Sequence, residues 1–346
     1  MPMIIFRTDG NKDIGSGHVM RCLSIADAFV RHDHSCIFVL ADDSFSGLIK
    51  ERGFDSVILN KDYSDPENEI ESFTALIRSS DPEMVIVDSY FVTGKYLSDI
   101  RKCAFTVYID DLASWAYPAD CIVNYNIYGP DLDYPGLYED AESTPKTLLG
   151  IDYVPVRSMF SNMEKHVHKK TVEDVLISAG GTDPIHFELA LAKFISERSD
   201  SVRYHILVGA LNPDHEKILK IAENCSNLIV HYNVSDMRGL ISSCDIAVSA
   251  SGSTLYEICA CGVPMVIYSL ADNQTLGNQA FEKHGIARSC GDLRSVKDPV
   301  EKVLKEVREY AGDYELRCSV GSRMQELVDG YGADRIVEAV LQMLSD

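Results

Sequence analysis

The chain has 346 residues with 53 acidic and 32 basic side chains, which gives a formal net charge of −21. A chain of this length exceeds one ordinary core and predicts two domains of roughly 150 residues each. The negative charge repels phosphate backbones and anionic bilayers, so the composition argues against a nucleic-acid or membrane partner.

Strand-length apolar runs alternate with helical patterns in the first half of the chain. In order, the segments are IIFRTD, HVMRCLSIADAFVRH, CIFVLA, SGLIKERG, MVIVDSY and FTVYIDD. The alternation of apolar runs and helical patterns is interrupted by the polar stretches GPDLDYPGLYEDAESTPK and EKHVHKKT and continues after them. The later apolar runs are VEDVLISAGGTD, RYHILVGA, NLIVHYNV, DIAVSASGS and VPMVIYSL, with helical patterns from about Pro299 onward.

Such alternation is typical of parallel sheets wound by crossover helices. We therefore predict an α/β fold with two domains, residues 1–165 and 170–346, and a cleft between the two lobes. The last helix is a candidate to pack back on the first domain.

The N-terminal sequence and the cysteines bear on location and cofactors. The first residues, MPMIIFRTDG, contain no basic leader with a small-residue cleavage site, and no apolar run reaches about 18 residues, so we expect a cytoplasmic protein. The ten cysteines form no CxxC pair and are interpreted as reduced core thiols. The pairs His32/His34 and His166/His168 have no further ligand at suitable spacing, so we predict neither a metal nor another cofactor.

Ligands of parallel sheets bind beyond the carboxyl ends of the strands, so polar residues at those ends are the candidate site residues. In the first domain they are Asp9, Asp88, Asp110, Asp111 and Asn124. In the second domain they are Gly180, Gly181, Thr182, Asp183, Ser251, Gly252, Ser253 and Thr254.

The segment GSGHVMRCLSIA, residues 15–26, places a histidine where a loop becomes a helix. Gly15 and Gly17 keep the loop free of side chains, which lets a ligand approach the backbone. The helix dipole favours the neutral form of His18, which is then available as a general base. Alternatively, His18 only caps the helix or binds a neighbouring carboxylate, and Arg21 is a surface charge. The segment matches neither GxGxxG nor GxxxxGK[ST].

In the second domain, ISAGGTDP and SASGSTLYE each run from a strand through small residues into a helix. Exposed amides and the helix dipole at such junctions form anion sites, and two of them suit a diphosphate. Glu257, about one turn into the later helix, is placed either to bind ribose hydroxyls or to compensate the helix dipole. Asn273, Gln274 and Asn278 are neutral and therefore suited to positioning a ligand.

The stretch RTDGNKDIGSGHVMRCLSIA is similar to the N-terminal signature of the UDP-2,4-diacetamido-2,4,6-trideoxy-β-L-altropyranose hydrolases of pseudaminic acid biosynthesis. The segments VDSY, YIDDLA, LLGIDYVPVRSMF, ISAGGTD, SASGSTLYE and GVPMVIY resemble that family in the same order. This resemblance implies a GT-B fold, related to the N-acetylglucosamine transferase of peptidoglycan synthesis, with two Rossmann-like domains. The sugar is expected on the first domain and UDP on the second.

The resemblance also implies the reaction. It is hydrolysis of the glycosyl C1–O bond without a metal, releasing UDP and a free 2,4-diacetamido-2,4,6-trideoxy sugar, with His18 as the base for the attacking water. The implied sugar-side residues are Asp9, Gly15, Gly17, Arg21, Asp88, Tyr90, Asp110, Asp111, Asn124, Tyr153 and Arg157. The chain departs from the family at Val156, at Met159 and in the Asn124-Tyr125-Asn126 element, which bears on the identity of the sugar.

Three other activities fit the same scaffold. They are a glycosyltransferase with a UDP-sugar donor, a UDP-sugar 2-epimerase, and a non-catalytic nucleotide-sugar binding protein. The sequence does not predict an oligomeric state, and a monomer is compatible with it.

Overall fold

The structure is a computed structural model that describes residues 1–12, 14–141, 143–198 and 201–345. The chain forms two compact units. Unit 1 comprises Met1–Ser158 and Tyr331–Asp346, and unit 2 comprises Met159–Gly330. The division therefore lies a few residues before the predicted boundary at residue 165, and the C-terminal segment is grouped with unit 1.

Unit 1 is built on one parallel sheet of seven strands in the order β3-β2-β1-β4-β5-β6-β7. The strands are β1 Met3–Thr8, β2 Ser35–Leu40, β3 Asp55–Ile58, β4 Met84–Asp88, β5 Phe105–Ile109, β6 Cys121–Asn124 and β7 Lys146–Leu149. The helices are α1 Gly17–Arg31, α2 Ser46–Glu51, α3 Ile70–Ser80, α4 Gly94–Arg101 and α5 Tyr134–Leu137. Short 3-10 helices occur at Pro66–Asn68, Gly129–Asp131 and Ile151–Tyr153. All five residues of β4 are buried, as expected for a central strand covered by helices on both faces.

Unit 2 contains a parallel sheet of six strands in the order β10-β9-β8-β11-β12-β13. The strands are β8 Asp174–Ser178, β9 Arg203–Leu207, β10 Leu228–His231, β11 Ile246–Ala250, β12 Met265–Ser269 and β13 Arg288–Asp292. The helices are α6 Phe187–Ser196, α7 His215–Ala222, α8 Met237–Ser243, α9 Thr254–Cys261, α10 Thr275–Lys283, α11 Pro299–Ala311 and α12 Tyr314–Leu327. Short 3-10 helices occur at Asp272–Gln274 and Leu293–Ser295, and another, Ser158–Phe160, lies where the chain passes from unit 1 to unit 2. The α/β fold class with two parallel sheets is thus confirmed.

The last helix, α13 Gly332–Ser345, contacts α1 and the 3-10 helix Ile151–Tyr153. Arg31 in the last turn of α1 pairs with Asp334 in the first turn of α13 at 2.8 Å. Entry into α13 is tight, because a Cβ on Gly332 would lie 2.2 Å from the carbonyl oxygen of Val154. None of the helices in the described residues is long and apolar enough to cross a bilayer.

Strand order reverses beside the first strand of each sheet, between β1 and β4 in unit 1 and between β8 and β11 in unit 2. At such a switch point the loops on the two sides diverge, which opens a crevice at the carboxyl ends of the strands. The GSGH loop and the end of β4 lie at the first switch point. The GGTD and SGST loops lie at the second, since Ser178 of β8 is in register with Ser249 of β11.

Candidate active site

The GSGH loop places His18 in the first turn of α1. Gly15 has φ +76°, a left-handed conformation that glycine adopts without strain, and its N–H donates to the Asn11 carbonyl at 2.8 Å. The chain then enters α1 at Gly17, so that His18 is its second residue. The side chain of His18 is buried at the carboxyl edge of the sheet and remains 8% exposed as a residue.

His18 is oriented by Asp88, the last residue of the neighbouring strand β4. The distance from His18 Nδ1 to Asp88 Oδ1 is 2.5 Å. An ionised carboxylate can only accept, so Nδ1 carries a hydrogen, and in the neutral imidazole the lone pair is on Nε2. Burial alone would raise the pKa of Asp88, but the charge of Arg21, the nearby His18 and the hydrogen bonds from both lower it. Asp88 therefore favours its ionised form beside His18 Nδ1.

Arg21 lies one turn after His18 and is buried between two carboxylates. Its Nε and Nη2 donate to Asp88, each at 2.6 Å, and its Nη1 donates to both oxygens of Asp111 at 2.9 and 3.0 Å. Nη1 also lies 2.8 Å from the Tyr125 hydroxyl. Arg21 is thus not a surface charge, and removal of one partner from such a buried pair costs about 3–5 kcal/mol.

Asp111 connects this pair to the exposed edge of the cluster. Tyr90 donates its hydroxyl to Asp111 Oδ2 at 2.6 Å, and Asn126 Nδ2 donates to Oδ1 at 2.7 Å. Burial opposes ionisation of Asp111, but Arg21 and the Tyr90 hydrogen bond lower its pKa. The Tyr90 ring lies edge-on to the His18 ring with the centroids 4.6 Å apart, and Tyr90 is 37% exposed. Tyr90 is therefore the member of the cluster most accessible to a ligand beside His18.

Three predicted residues of the first domain hold loops rather than His18. Asp9 accepts from Arg7 Nη1 at 2.6 Å and from the Ala41 amide at 2.8 Å. Asp110 accepts the amides of the turn that follows it and the Tyr134 hydroxyl. Asn124 donates to the same Tyr134 hydroxyl at 3.0 Å and is fully buried.

Two further predicted residues, Tyr153 and Arg157, lie in the segment after β7 and are half-buried. Tyr153 ends the 3-10 helix that contacts α13.

In unit 2, the β8–α6 loop differs from the predicted open helix terminus. Both carboxylate oxygens of Asp183 accept amides of α6, from Phe187 at 2.9 Å and from Glu188 at 2.8 Å. The N-terminus of α6 is thus occupied by the protein's own carboxylate. Within the described residues, the N–H groups of Gly181 and Thr182 in this loop have no acceptor.

A close approach of two loops fixes the GGTD segment. A Cβ on Gly209, after β9, would lie 2.2 Å from the Gly180 carbonyl oxygen, so only glycine fits there. The Leu211 amide donates to the Gly181 carbonyl at 3.1 Å. Gly180 has φ +82°, which turns the chain back from β8.

The β11–α9 junction keeps the open terminus that the sequence predicts. Ser253 precedes Thr254, the first residue of α9, and makes no side-chain cap. Among the described residues, neither the Ser253 nor the Thr254 N–H has an acceptor. Gly252 and Ser253 are exposed, and Glu257 is half-buried in the first turn of α9.

The remaining predicted residues of unit 2 shape this junction. Ser251 Oγ donates to the Tyr268 carbonyl and accepts from Asn278 Nδ2, both at 3.0 Å. Gln274 Oε1 accepts the Leu270 amide at 2.8 Å, whereas Asn273 is exposed.

Three residues that belong to these networks were not predicted as site residues. Tyr125 and Asn126 follow Asn124 at the end of β6, so selecting polar residues at the carboxyl ends of strands could have found them. Glu188 lies inside an apolar helix pattern, and its partners, the Ala179 amide and Asn212 Nδ2, are each 2.7 Å away. Burial raises the pKa of Glu188 to about 8. In the described part of the chain, no group of three or more histidine, cysteine or acidic residues is arranged to hold a metal ion.

Comparison with known proteins gives relatives that bear on this site. The chain is 26% identical to the UDP-2,4-diacetamido-2,4,6-trideoxy-β-L-altropyranose hydrolase of Campylobacter jejuni, over 72% of this chain and 85% of that protein. The resemblance seen in the motifs is thereby confirmed. The chain is also 25% identical to the spore coat polysaccharide biosynthesis protein SpsG of Bacillus subtilis, over 97% of this chain and 96% of that protein.

The fold has counterparts among solved structures. MurG of Acinetobacter baumannii superimposes with a TM-score of 0.67 at 13% identity, covering 99% of this chain and 100% of that one. The calicheamicin glycosyltransferase CalG4 gives a TM-score of 0.66 at 13% identity, covering 99% and 98%. The lipid-A-disaccharide synthetase family model matches residues 152–273. The GT-B type of fold is therefore confirmed.

Proposed function

We propose that this protein hydrolyses a UDP-linked 2,4-diacetamido-2,4,6-trideoxy sugar at its C1–O bond, in nonulosonic (pseudaminic) acid biosynthesis. The observation that carries the proposal is the His18–Asp88 pair at the switch point of the first sheet, with Nε2 free to accept a proton. The similarity to the Campylobacter jejuni hydrolase supports the choice of substrate and reaction.

In the proposed reaction, water attacks C1 of the sugar while His18 Nε2 accepts its proton. The C1–O bond breaks and its electron pair stays on the β-phosphate oxygen, so the products are the free sugar and UDP. Asp88 stabilises the imidazolium that forms, because it already holds Nδ1–H. Positive charge develops on the sugar ring and negative charge on the diphosphate, and hydrogen-bond donors directed at the diphosphate lower the barrier. No step uses a metal ion.

We assign the diphosphate to the open amides of unit 2. These belong to Gly181, Thr182, Ser253 and Thr254 at the second switch point. Glu257 is assigned to the ribose hydroxyls, with Asn273 as the exposed polar group of the neighbouring loop. Ser251, Asn278 and Gln274 have internal partners, so their task is to shape these loops.

Tyr90 is the residue of unit 1 that we assign to direct sugar contact beside His18. Its exposed ring offers an apolar face, and its hydroxyl is fixed by Asp111. Asp88, Arg21 and Asp111 act behind it as positioning residues, because their polar atoms are already paired with one another.

A glycosyltransferase with a UDP-sugar donor is the second candidate, supported by the similarity in fold to the calicheamicin glycosyltransferase. The two activities separate when the pure protein receives the UDP-diacetamido-trideoxy sugar and no acceptor other than water. A hydrolase releases UDP and free sugar in equal amounts, whereas a transferase leaves the donor intact until an acceptor is added. Bound UDP without any turnover would leave a nucleotide-sugar binding protein, and an altered sugar still linked to UDP would reveal an epimerase.

A further inference from the structure

The β8–α6 loop contributes to a second histidine–aspartate pair, which the proposed reaction does not use. His186 Nδ1 lies 2.5 Å from Asp214 Oδ2. Asp214 is 1% exposed, whereas the side chain of His186 is 61% exposed. A carboxylate accepts only, so Nδ1 carries a hydrogen and Nε2 is the ring nitrogen left for an external partner.

Asp214 is held as an anion beneath the ring. Its Oδ1 accepts from Lys217 Nζ at 2.6 Å, and its backbone amide donates to Asn212 Oδ1 at 2.8 Å. The hydrogen bond from Lys217 lowers the pKa of Asp214, and His186 adds to this effect. A buried and fully bonded carboxylate therefore fixes the orientation of an otherwise exposed imidazole.

The backbone at His186 is also unusual. His186 has φ +57°, in the left-handed region, which non-glycine residues seldom adopt. Capping of α6 does not explain this conformation, because Asp183 already accepts the first helix amides. The strained conformation positions the His186 ring at the entrance to α6, in the loop that also presents the open amides of Gly181 and Thr182.

Acidic residues at the start of α6 would repel a bound anion unless a cationic group lies nearby. Asp183 and Glu188 are both fully buried at the start of α6 and have amide partners rather than cationic ones. A diphosphate on the Gly181 and Thr182 amides would therefore approach Asp183, whereas burial raises the pKa of Glu188 to about 8, so that carboxyl adds little negative charge at neutral pH. His186 lies close enough to Asp183 to interact with it electrostatically, so an imidazolium there offsets the local negative charge.

We propose that His186 binds the β-phosphate of the nucleotide, donating Nε2–H of its imidazolium to a phosphate oxygen. This inference rests on the proposed function. When the C1–O bond breaks, the electron pair stays on the β-phosphate, and the imidazolium stabilises the added charge without giving up its proton.

The test compares the affinities of UDP and UMP, which differ by the β-phosphate. The variants are His186→Asn, since asparagine tolerates a left-handed backbone, and His186→Lys, which keeps a positive charge. His284→Asn is the matched control, because His284 is an exposed histidine in the same unit, at the end of α10. We expect His186→Asn to weaken UDP binding roughly 10- to 100-fold and to leave UMP binding unchanged. His186→Lys should recover part of the UDP affinity, and His284→Asn should bind like wild type.

The outcomes separate this inference from the proposed function. Equal UDP affinity in wild type and His186→Asn would overturn the role of His186 and leave the proposed function standing. Equal weakening of UDP and UMP would also overturn it, since the residue would then act only by shaping the loop. Absence of UDP binding to the wild-type protein would overturn both proposals. Circular dichroism melts check folding, and His186→Gln provides the same loss of charge if the asparagine variant unfolds.

Discussion

Replacement of Asp88 by asparagine should inactivate the proposed base, His18, while leaving the histidine side chain in place. In the wild-type protein the Asp88 carboxylate faces four donors: His18 Nδ1 at 2.5 Å, two Arg21 nitrogens at 2.6 Å and Cys22 Sγ at 3.4 Å. Both carboxylate oxygens face Arg21, and Oδ1 also faces His18, so an asparagine amide places its NH2 group opposite one Arg21 nitrogen in either orientation. With NH2 at the Oδ1 position, His18 Nδ1 becomes an acceptor and its hydrogen moves to Nε2; with the amide oxygen there, the ring loses the negative charge that stabilises its imidazolium. We expect kcat to fall about 10³- to 10⁴-fold, the effect of a wrong tautomer in such a pair.

The assay measures UDP release together with stability. Asp88→Asn also removes one of two carboxylates from buried Arg21, at a cost of about 3 kcal/mol in urea unfolding. The matched control is Asp120→Asn, because Asp120 also accepts from an arginine and a backbone amide, Arg101 Nε and Thr106 N–H, each at 2.8 Å. Asp120 precedes β6 and so lies at the opposite edge of the sheet. A folded Asp88→Asn protein with kcat within about fivefold of wild type would contradict the role of Asp88, because His18 without a carboxylate at Nδ1 should not retain that rate.

Three other predictions follow from the same contacts. Tyr90→Phe removes the hydroxyl bonded to Asp111 and keeps the ring beside His18, so kcat should fall about tenfold with little change in melting temperature; an unchanged kcat would contradict the role of the hydroxyl. Burial raises the pKa of Glu188 to about 8, so the folded state binds more protons than the unfolded one and stability should fall between about pH 5 and pH 8. When unfolding free energies are measured by urea at several pH values, the decrease between about pH 5 and pH 8 should be smaller in Glu188→Gln than in wild type. An equal decrease in both proteins would contradict a raised pKa of Glu188. Asp183→Ala leaves two α6 amides without acceptors and should cost about 1–2 kcal/mol of unfolding free energy, with Asp183→Asn recovering part.

The strands and helices were predictable because each one has its own local spacing of apolar residues. The start of α1 near Gly17 follows from two glycines and the apolar spacing after them, and the structure begins the helix there. The open junction before Thr254 is likewise local, since small residues separate a buried strand from a helix. These features depend on neighbours within a few residues, which a sequence shows directly.

The partners of charged residues were less accessible. Arg21 was compatible with a surface position because its carboxylates, Asp88 and Asp111, lie 67 and 90 residues away in sequence. Selecting polar residues at the carboxyl ends of strands identified both Asp9 and Asp88, since Asp9 follows β1 and Asp88 ends the neighbouring parallel strand β4. Only the structure distinguishes them: Asp88 holds His18, and Asp9 is taken up by Arg7 and the Ala41 amide.

The prediction of an open N-terminus for α6 was wrong, and the residue responsible is close to that terminus in the sequence. Asp183 stands four residues before Phe187, where α6 begins, and a carboxylate at that point competes for the first amides. The left-handed backbone at Asp183 and His186 delays the helix start, and non-glycine residues give little warning of such a conformation.

In the proposed reaction, water activated by His18 attacks C1 of a UDP-linked sugar. The most direct measurement is turnover of the UDP-diacetamido-trideoxy sugar in water enriched in heavy oxygen, with excess chelator and mass analysis of both products. We expect the label in the free sugar, none in UDP, and loss of turnover in a folded His18→Asn variant. Label in UDP would mean attack at phosphorus and would contradict the proposed mechanism, and retained turnover in His18→Asn would contradict the role of the histidine.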